Sequence, residues 1–272
     1  MKTLGKVAVL VTLMAMLAGG ARATTMSVWL NDAIVGGTTV EDHVGTNDFI
    51  TNAGNSPTLS SDTPFTYTGN RSLSYNGAGQ RMWINNTVGT TLELRSTLTI
   101  ETWIKGGDNG SDGGPTFRLI LGYHDTYGLI AEEQGSGTDP LFAFSYLQGG
   151  SRRVEHFSDT ASATLDDGNW HHIAATFDAA ADEVVLYLDG VQDGAVRAAQ
   201  SAGDLNYGDT LFRTGSDPFG RWYKGLIDEA RVSDSVLSAS ELGYYGTLIP
   251  EPAMVGLLGI GSLLALVRRR RG

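Results

Sequence analysis

The chain is 272 residues long, with 19 basic and 30 acidic side chains, a formal net charge of −11, 36 glycines and no cysteine. The absence of cysteine excludes disulfides and thiolate metal sites. With Lys2, Lys6, Arg22, Glu251 and Arg268 to Arg271 set aside as belonging to the two ends, residues 24–249 hold 12 basic and 29 acidic side chains, a surface that repels phosphate backbones and excludes a nucleic-acid partner.

Lys2 and Lys6 precede an apolar run at 7–17, then Gly19, Gly20 and Ala21-Arg22-Ala23. This is the three-part pattern of a secretory signal peptide over residues 1–23, with cleavage expected between Ala23 and Thr24. The run is shorter than the roughly 20 apolar residues a membrane-spanning helix needs. Residues 24–70 are polar, rich in Thr and Asn, and show no clear period.

From there on, short apolar runs follow at 72–75, 98–104, 118–121, 141–146, 172–177 and 184–188. Between them lie turn pairs, Asn76-Gly77, Asp112-Gly113, Asp167-Gly168, Asp189-Gly190 and Asp193-Gly194, which supply the positive φ angles of tight turns. Many short strands punctuated this way predict an all-β, two-sheet antiparallel sandwich. Trp170, Ile173, Phe177, Leu186 and Leu188 are expected in its core. No internal repeat or change of composition divides residues 24–249, which read as one domain. Ser238 and Glu241 have capping-box spacing and predict a short helix near 239–245.

At the far end, Pro250-Glu251-Pro252 precedes an apolar stretch at 253–267 and the block Arg268, Arg269, Arg270 and Arg271. As a helix the stretch extends about 22 Å, less than a bilayer core of about 30 Å. The arginines act as a membrane stop on the cytoplasmic side, and the prolines keep the preceding segment extended. The tail, residues 250–272, resembles the PEP-CTERM sorting signal. That resemblance implies a Gram-negative protein held transiently in the inner membrane, cut near Pro250, Glu251 and Pro252 by an exosortase-type transpeptidase, and destined for the cell surface or extracellular matrix.

Several internal segments, taken together, resemble the LamG-like, concanavalin A-like jelly-roll family. They are Leu98-Thr99-Ile100-Glu101-Thr102-Trp103-Ile104, Asp167-Gly168-Asn169-Trp170-His171-His172-Ile173-Ala174 and Val185-Leu186-Tyr187-Leu188-Asp189-Gly190. Gly225-Leu226-Ile227-Asp228-Glu229-Ala230-Arg231-Val232 and Leu237-Ser238-Ala239-Ser240-Glu241-Leu242 complete the set. The resemblance runs from residue 69 to residue 245 and implies a jelly roll, but the family serves many roles.

No catalytic set emerges. Laminarinase-like glucanases of this sandwich carry alternating acids on one strand face, whereas Glu132-Glu133 and Asp228-Glu229 are adjacent pairs. His171 and His172 diverge on a strand and cannot share one ion, so both are read as structural. The loop at 108–113 has calcium-loop features, but Gly110 and Leu119 stand where ligands belong. No Gly-x-Ser-x-Gly elbow or phosphate loop occurs.

Asp228 is the one candidate metal ligand. Strict alternation places it with Leu226, Ala230 and Val232 on an apolar face, where an unpaired carboxylate is costly. An arginine, backbone N–H groups or a cation must answer it. Calcium sites are common in LamG-like domains, so the resemblance implies calcium, with Asp32, Asp42 and Asp48 as possible co-ligands. Trp103, Tyr123, Tyr127, Trp222 and Tyr223 give weak support for glycan binding. The expected function is a non-catalytic envelope or matrix protein whose sandwich meets extracellular polysaccharide or another envelope component. A glycoside hydrolase or lyase with an unfamiliar site and a purely structural envelope protein are the alternatives.

Overall fold

Alternation along a strand sends successive side chains to opposite faces of a sheet, so the apolar positions of each run decide which face is core. In the computed structural model Leu98, Ile100 and Ile104 join Ile173, Ala175, Phe177, Val184, Leu186 and Leu188 in one buried cluster. Phe177 stands opposite Leu98 and Ala175 opposite Ile100. The structure describes residues 24–85, 91–106, 117–133, 140–149, 153–160, 165, 167–199, 203–208 and 211–243. The signal segment with Ala23, the 108–113 loop with Asp112-Gly113, and the sorting tail lie outside the described residues.

The first strands are β1 (Thr25–Trp29), β2 (Thr39–Val40), β3 (Phe49–Ile50), β4 (Thr58–Ser60), β5 (Ser72–Asn76) and β6 (Met82–Asn85). Next come β7 (Thr97–Lys105), β8 (Phe117–Gly122), β9 (Tyr127–Glu133), β10 (Pro140–Leu147), β11 (Arg153–Phe157) and β12 (Trp170–Asp178). The last are β13 (Glu183–Leu188), β14 (Val191–Gln192), β15 (Arg197–Ala198), β16 (Leu211–Thr214) and β17 (Lys224–Ser233). Sheet A runs β14-β13-β12-β7-β17-β5-β4, with β1 also on β17 and β15 on β13; sheet B runs β11-β10-β9-β8-β16-β6-β3-β2. The two antiparallel sheets enclose the core as a jelly-roll sandwich. At the β13–β14 hairpin, Asp189 and Gly190 have φ of 50° and 74°, the geometry of a two-residue turn that matches strand twist.

The polar N-terminal stretch turns out to close the sandwich. Trp29 is fully buried, its ring 4.6 Å from Phe49 and 5.7 Å from Phe212, and its indole N–H donates to the Asn47 carbonyl at 2.8 Å.

Two expectations need correction. Trp170 is not a core residue: it stands opposite Lys105 at the end of β12, in phase with outward His172 rather than inward Ile173. It is half-buried, and its indole N–H donates to Asp62 Oδ1 at 2.8 Å. The predicted helix is a single 3-10 turn, Ala239–Glu241. Glu241 does accept from the Ser238 N–H at 2.9 Å as the spacing predicts, but Leu237 and Leu242 are drawn down onto Ala174, Val185 and Tyr187 of sheet A, which keeps the segment extended around the turn.

Candidate functional site

Three groups of polar side chains stand out, and the fold decides what each can do. The first surrounds Asp228. On β17, Asp228 pairs with Trp103 and Arg231 with Glu101, so one extra residue is inserted between them. Glu229 takes φ 46° at this bulge. The insertion resets the alternation: Ile227, Ala230 and Val232 enter the core, while Asp228 joins Trp103 on the outer face of sheet A. The expectation that Asp228 shares a face with Ala230 and Val232 is therefore wrong, although its full burial is as expected.

The bulge lies where the neighbour of β17 changes from β5 to β1, and chain leaving β1 and entering β5 fills the gap. Tyr67 donates its hydroxyl proton to Glu229 Oε1 at 2.8 Å and lies 3.3 Å from both Asp32 carboxylate oxygens. The Arg71 N–H donates to Asp32 at 2.9 Å. Asp228 Oδ1 accepts the Glu229 N–H at 2.9 Å, whereas its Oδ2 is buried with no hydrogen-bond partner. Burial, with the Glu229 and Asp32 charges adding to it, pushes the Asp228 carboxyl up to about 9. Burial and the same acids also push the Tyr67 hydroxyl well above its usual value.

Of the suggested co-ligands, only Asp32 reaches this group. Asp42 instead accepts backbone N–H groups of Val28, Val44 and Asn47 at 3.0, 3.1 and 3.1 Å, and Asp48 accepts that of Asp42 at 2.9 Å. The oxygen donors of Asp32, Asp228 and Glu229 suit a hard cation such as calcium, and the orphaned Asp228 oxygen is the atom such an ion would satisfy. Among the described residues, no three acidic or imidazole side chains already stand as a metal-holding set, Tyr67 lying between Asp32 and Glu229.

The second group is buried beside the first. Glu101 accepts from His172 Nε2 at 2.9 Å and the Gly243 N–H at 2.8 Å, and pairs with Arg231. Trp103 covers its flank, packed edge-on against His172 and Phe65. The segment 234–243 seals this face of sheet A, where Thr99 accepts the Leu237 N–H at 2.9 Å. Glu101 and His172 are fully buried, so no substrate can reach them. His171 diverges as expected, its ring nitrogens 2.9 Å from Asp189 and 3.2 Å from Asp167.

The third group faces solvent. The turn after β8 and the loop between β16 and β17, closed by the Ser216–Trp222 bridge, form an open depression of about 510 Å³ lined by His124, Asp125, Phe219 and Arg221. Asp217 at its base is fully buried, accepts the N–H groups of Phe219 and Arg221 at 2.9 and 3.0 Å, and pairs with the Arg221 side chain. The guanidinium is thereby held 4.6 Å over the Phe117 ring and 5.4 Å from Phe219. His124 lies 2.7 Å from Asp125 and 3.1 Å from Arg221. Phe219 is 71% exposed, a large apolar ring in water beside fixed polar groups.

Such a ring can receive the apolar face of a sugar while Arg221 and Asp125 meet its hydroxyls, with the buried His124 holding those two side chains in place. Glycoside hydrolysis needs two working carboxyls, and Asp217 is locked by its arginine and two N–H groups. Of the aromatics singled out from sequence, Tyr123, Tyr127 and Tyr223 belong to the core and Trp103 is covered; Trp222 alone is partly exposed. His124, Asp125, Asp217, Phe219 and Arg221 were missed. The available signal was the turn Asp217-Pro218-Phe219-Gly220-Arg221-Trp222, which puts two aromatics and an arginine around Pro and Gly.

Comparison with known proteins bears on the fold. Domain 4 of AbnA, a GH43 extracellular arabinanase from Geobacillus stearothermophilus, in complex with arabinotriose, is similar at a TM-score of 0.56 and 17% identity, over 80% of this chain and 96% of that one. The binding domain of Paraclostridial Mosquitocidal Protein 1 gives 0.58 and 13%, over 79% and 50%. The botulinum neurotoxin serotype D ligand binding domain in complex with N-acetylneuraminic acid gives 0.54 and 11%, over 79% and 48%. The chain thus spans about half the length of the two toxin domains, and identities this low speak for the fold alone. No curated protein sequence matches the chain. The family model of the concanavalin A-like lectin/glucanases superfamily matches residues 76–243, and the chain belongs to that superfamily.

Proposed function

We propose that the domain is a non-catalytic carbohydrate-binding module of an exported protein, with its glycan site at the depression formed by His124, Asp125, Phe219 and Arg221. The observation that carries this reading is the exposed Phe219 ring beside an Arg221 that Asp217 holds in place. Binding domains recur among the solved structures of similar fold, two of them described with a saccharide. In a glycan array of the full-length protein, Phe219→Ala should weaken the best ligand about tenfold. Unchanged binding in that variant would place the site elsewhere.

Calcium belongs to the proposal as a stabilising ion held by Asp32, Asp228 and Glu229. It would supply the positive charge that the buried Asp228 oxygen lacks and join the β1 and β5 sides of the bulge. At about 100 times its dissociation constant it should add about 2.7 kcal/mol to stability, read as a rise in melting temperature over the chelator-treated protein. Asp228→Asn should abolish the rise; an equal rise in that variant rules the assignment out.

The ends of the chain carry the cellular part of the reading. Signal cleavage between Ala23 and Thr24, then exosortase-type cutting at Pro250, Glu251 and Pro252 with Arg268, Arg269, Arg270 and Arg271 as the stop, would deliver the module to the cell surface or matrix, where extracellular polysaccharide is its partner. Replacing the three sorting residues with alanine should leave uncut protein in the inner membrane, and normal processing of that form would argue for a simple tail anchor.

A further inference from the structure

A second set of side chains lies on the other flank of the loop that carries Phe219 and Arg221. On β6, Met82 and Ile84 turn into the core, so Trp83 between them stands on the outer face of sheet B. Trp222 closes the loop, and the Arg81 guanidinium carbon lies 5.6 Å from the ring centroid of each tryptophan. All three side chains are half-buried. Arg213 stands opposite Trp83 in the β16–β6 register.

Arg95, Arg197, Arg221 and Arg231 each hold a carboxylate, whereas among the described residues no carboxylate pairs with Arg81, in a chain of net charge −11. Arg71 has no such pair among them either, but its guanidinium donates to the Asn70 carbonyl, while that of Arg81 lies by two indoles. Both indoles lie within cation–π reach of the guanidinium. Its N–H groups lie in the plane, arranged as a fork that fits a carboxylate with two parallel hydrogen bonds. The indole rings offer apolar faces of the kind a sugar ring covers. Trp222 follows Phe219 by three residues, so their Cα atoms are within about 10 Å of one another, and one oligosaccharide can meet both flanks of the loop.

We propose that Arg81, Trp83 and Trp222 form a second glycan subsite that takes a carboxylate-bearing sugar, so that the ligand of this domain is a uronic-acid polysaccharide. This rests on the glycan-binding reading of the Phe219 depression and adds the chemical class of the ligand. Elsewhere the acidic surface repels such a polymer, which favours approach along the strip where Arg81 lies.

The test compares each polymer with its own uncharged form. Full-length protein is titrated with polygalacturonate and with alginate, and with the carboxyl-reduced counterpart of each. One uronate should bind at least about tenfold tighter than its reduced form, the gain expected of hydrogen bonds to a charged group. Arg81→Gln should remove that preference, so that each uronate and its reduced form bind alike, while Phe219→Ala weakens both forms. Thermal melts of each variant report folding separately. Equal affinity for charged and reduced polymers overturns the uronate assignment and leaves the glycan reading standing. A preference that survives Arg81→Gln in folded protein overturns the subsite. Binding to none of these polymers or to any arrayed glycan overturns both readings.

Discussion

Trp29→Ala should cost about 3–5 kcal/mol, as expected for removal of a large buried aromatic, whereas Trp170→Ala should cost well under half as much. Trp29 is fully buried between Phe49 and Phe212, so its loss opens a cavity that Phe49 from β3 and Phe212 from β16 cannot both fill. It also leaves the Asn47 carbonyl without the indole N–H. Trp170 lies half in water and would give up one hydrogen bond to Asp62. Urea midpoints of the two variants measure the difference. A midpoint in Trp29→Ala no lower than in Trp170→Ala would mean that the N-terminal strand does not complete the core.

Glu101→Ala should be as damaging, about 3–5 kcal/mol, because it leaves the Arg231 guanidinium without its counter-charge and the buried His172 ring and Gly243 N–H without their acceptor. Burial by itself pushes the Glu101 carboxyl up, but the His172 hydrogen bond, the Arg231 charge and the Gly243 N–H outweigh it and hold the group below its usual 4.5. The ionised form is therefore favoured in the fold over the unfolded chain. The stability Glu101 contributes is fully present above 4.5 and is lost as pH falls through the lower folded value. Wild type should lose stability with acid over that range more steeply than Glu101→Gln. Arg231→Met combined with Glu101→Gln should cost less than the sum of the two singles, since removing both charges leaves neither stranded. Strict additivity in that cycle would show that the pair does not act as a unit.

The sandwich was legible before any coordinates because strand alternation and turn chemistry are local. The runs at 98–104, 172–177 and 184–188 announce their inward faces, and Asp-Gly and Asn-Gly pairs mark turns where positive φ is needed. The capping-box spacing of Ser238 and Glu241 predicted their hydrogen bond correctly, but not that a single 3-10 turn would satisfy it. Asp228 was recognised as a buried acid needing an answer. Its face was misjudged because a bulge is invisible in a linear pattern: one inserted residue leaves the residue types unchanged and reverses their phase.

The first 47 described residues, 24–70, carry no period, since their strands are two to five residues long. Trp29, Phe49 and Phe212 become neighbours only when β1 docks on β17 and β3 docks on β6, contacts far apart along the chain. The depression has the same origin. Asp217, Phe219 and Arg221 share one loop, but His124 and Asp125 reach them from the turn after β8, which β16 holds alongside. Composition and the short-range patterns thus determined the all-β class, the absence of disulfides, and most of the core of β7, β12 and β13, because each is written in residue types or in neighbours within a few residues. The tertiary structure alone decided which acids meet at Asp228, which indoles lie against Arg81, and where an aromatic ring remains in water, because each depends on strands brought together from distant parts of the chain.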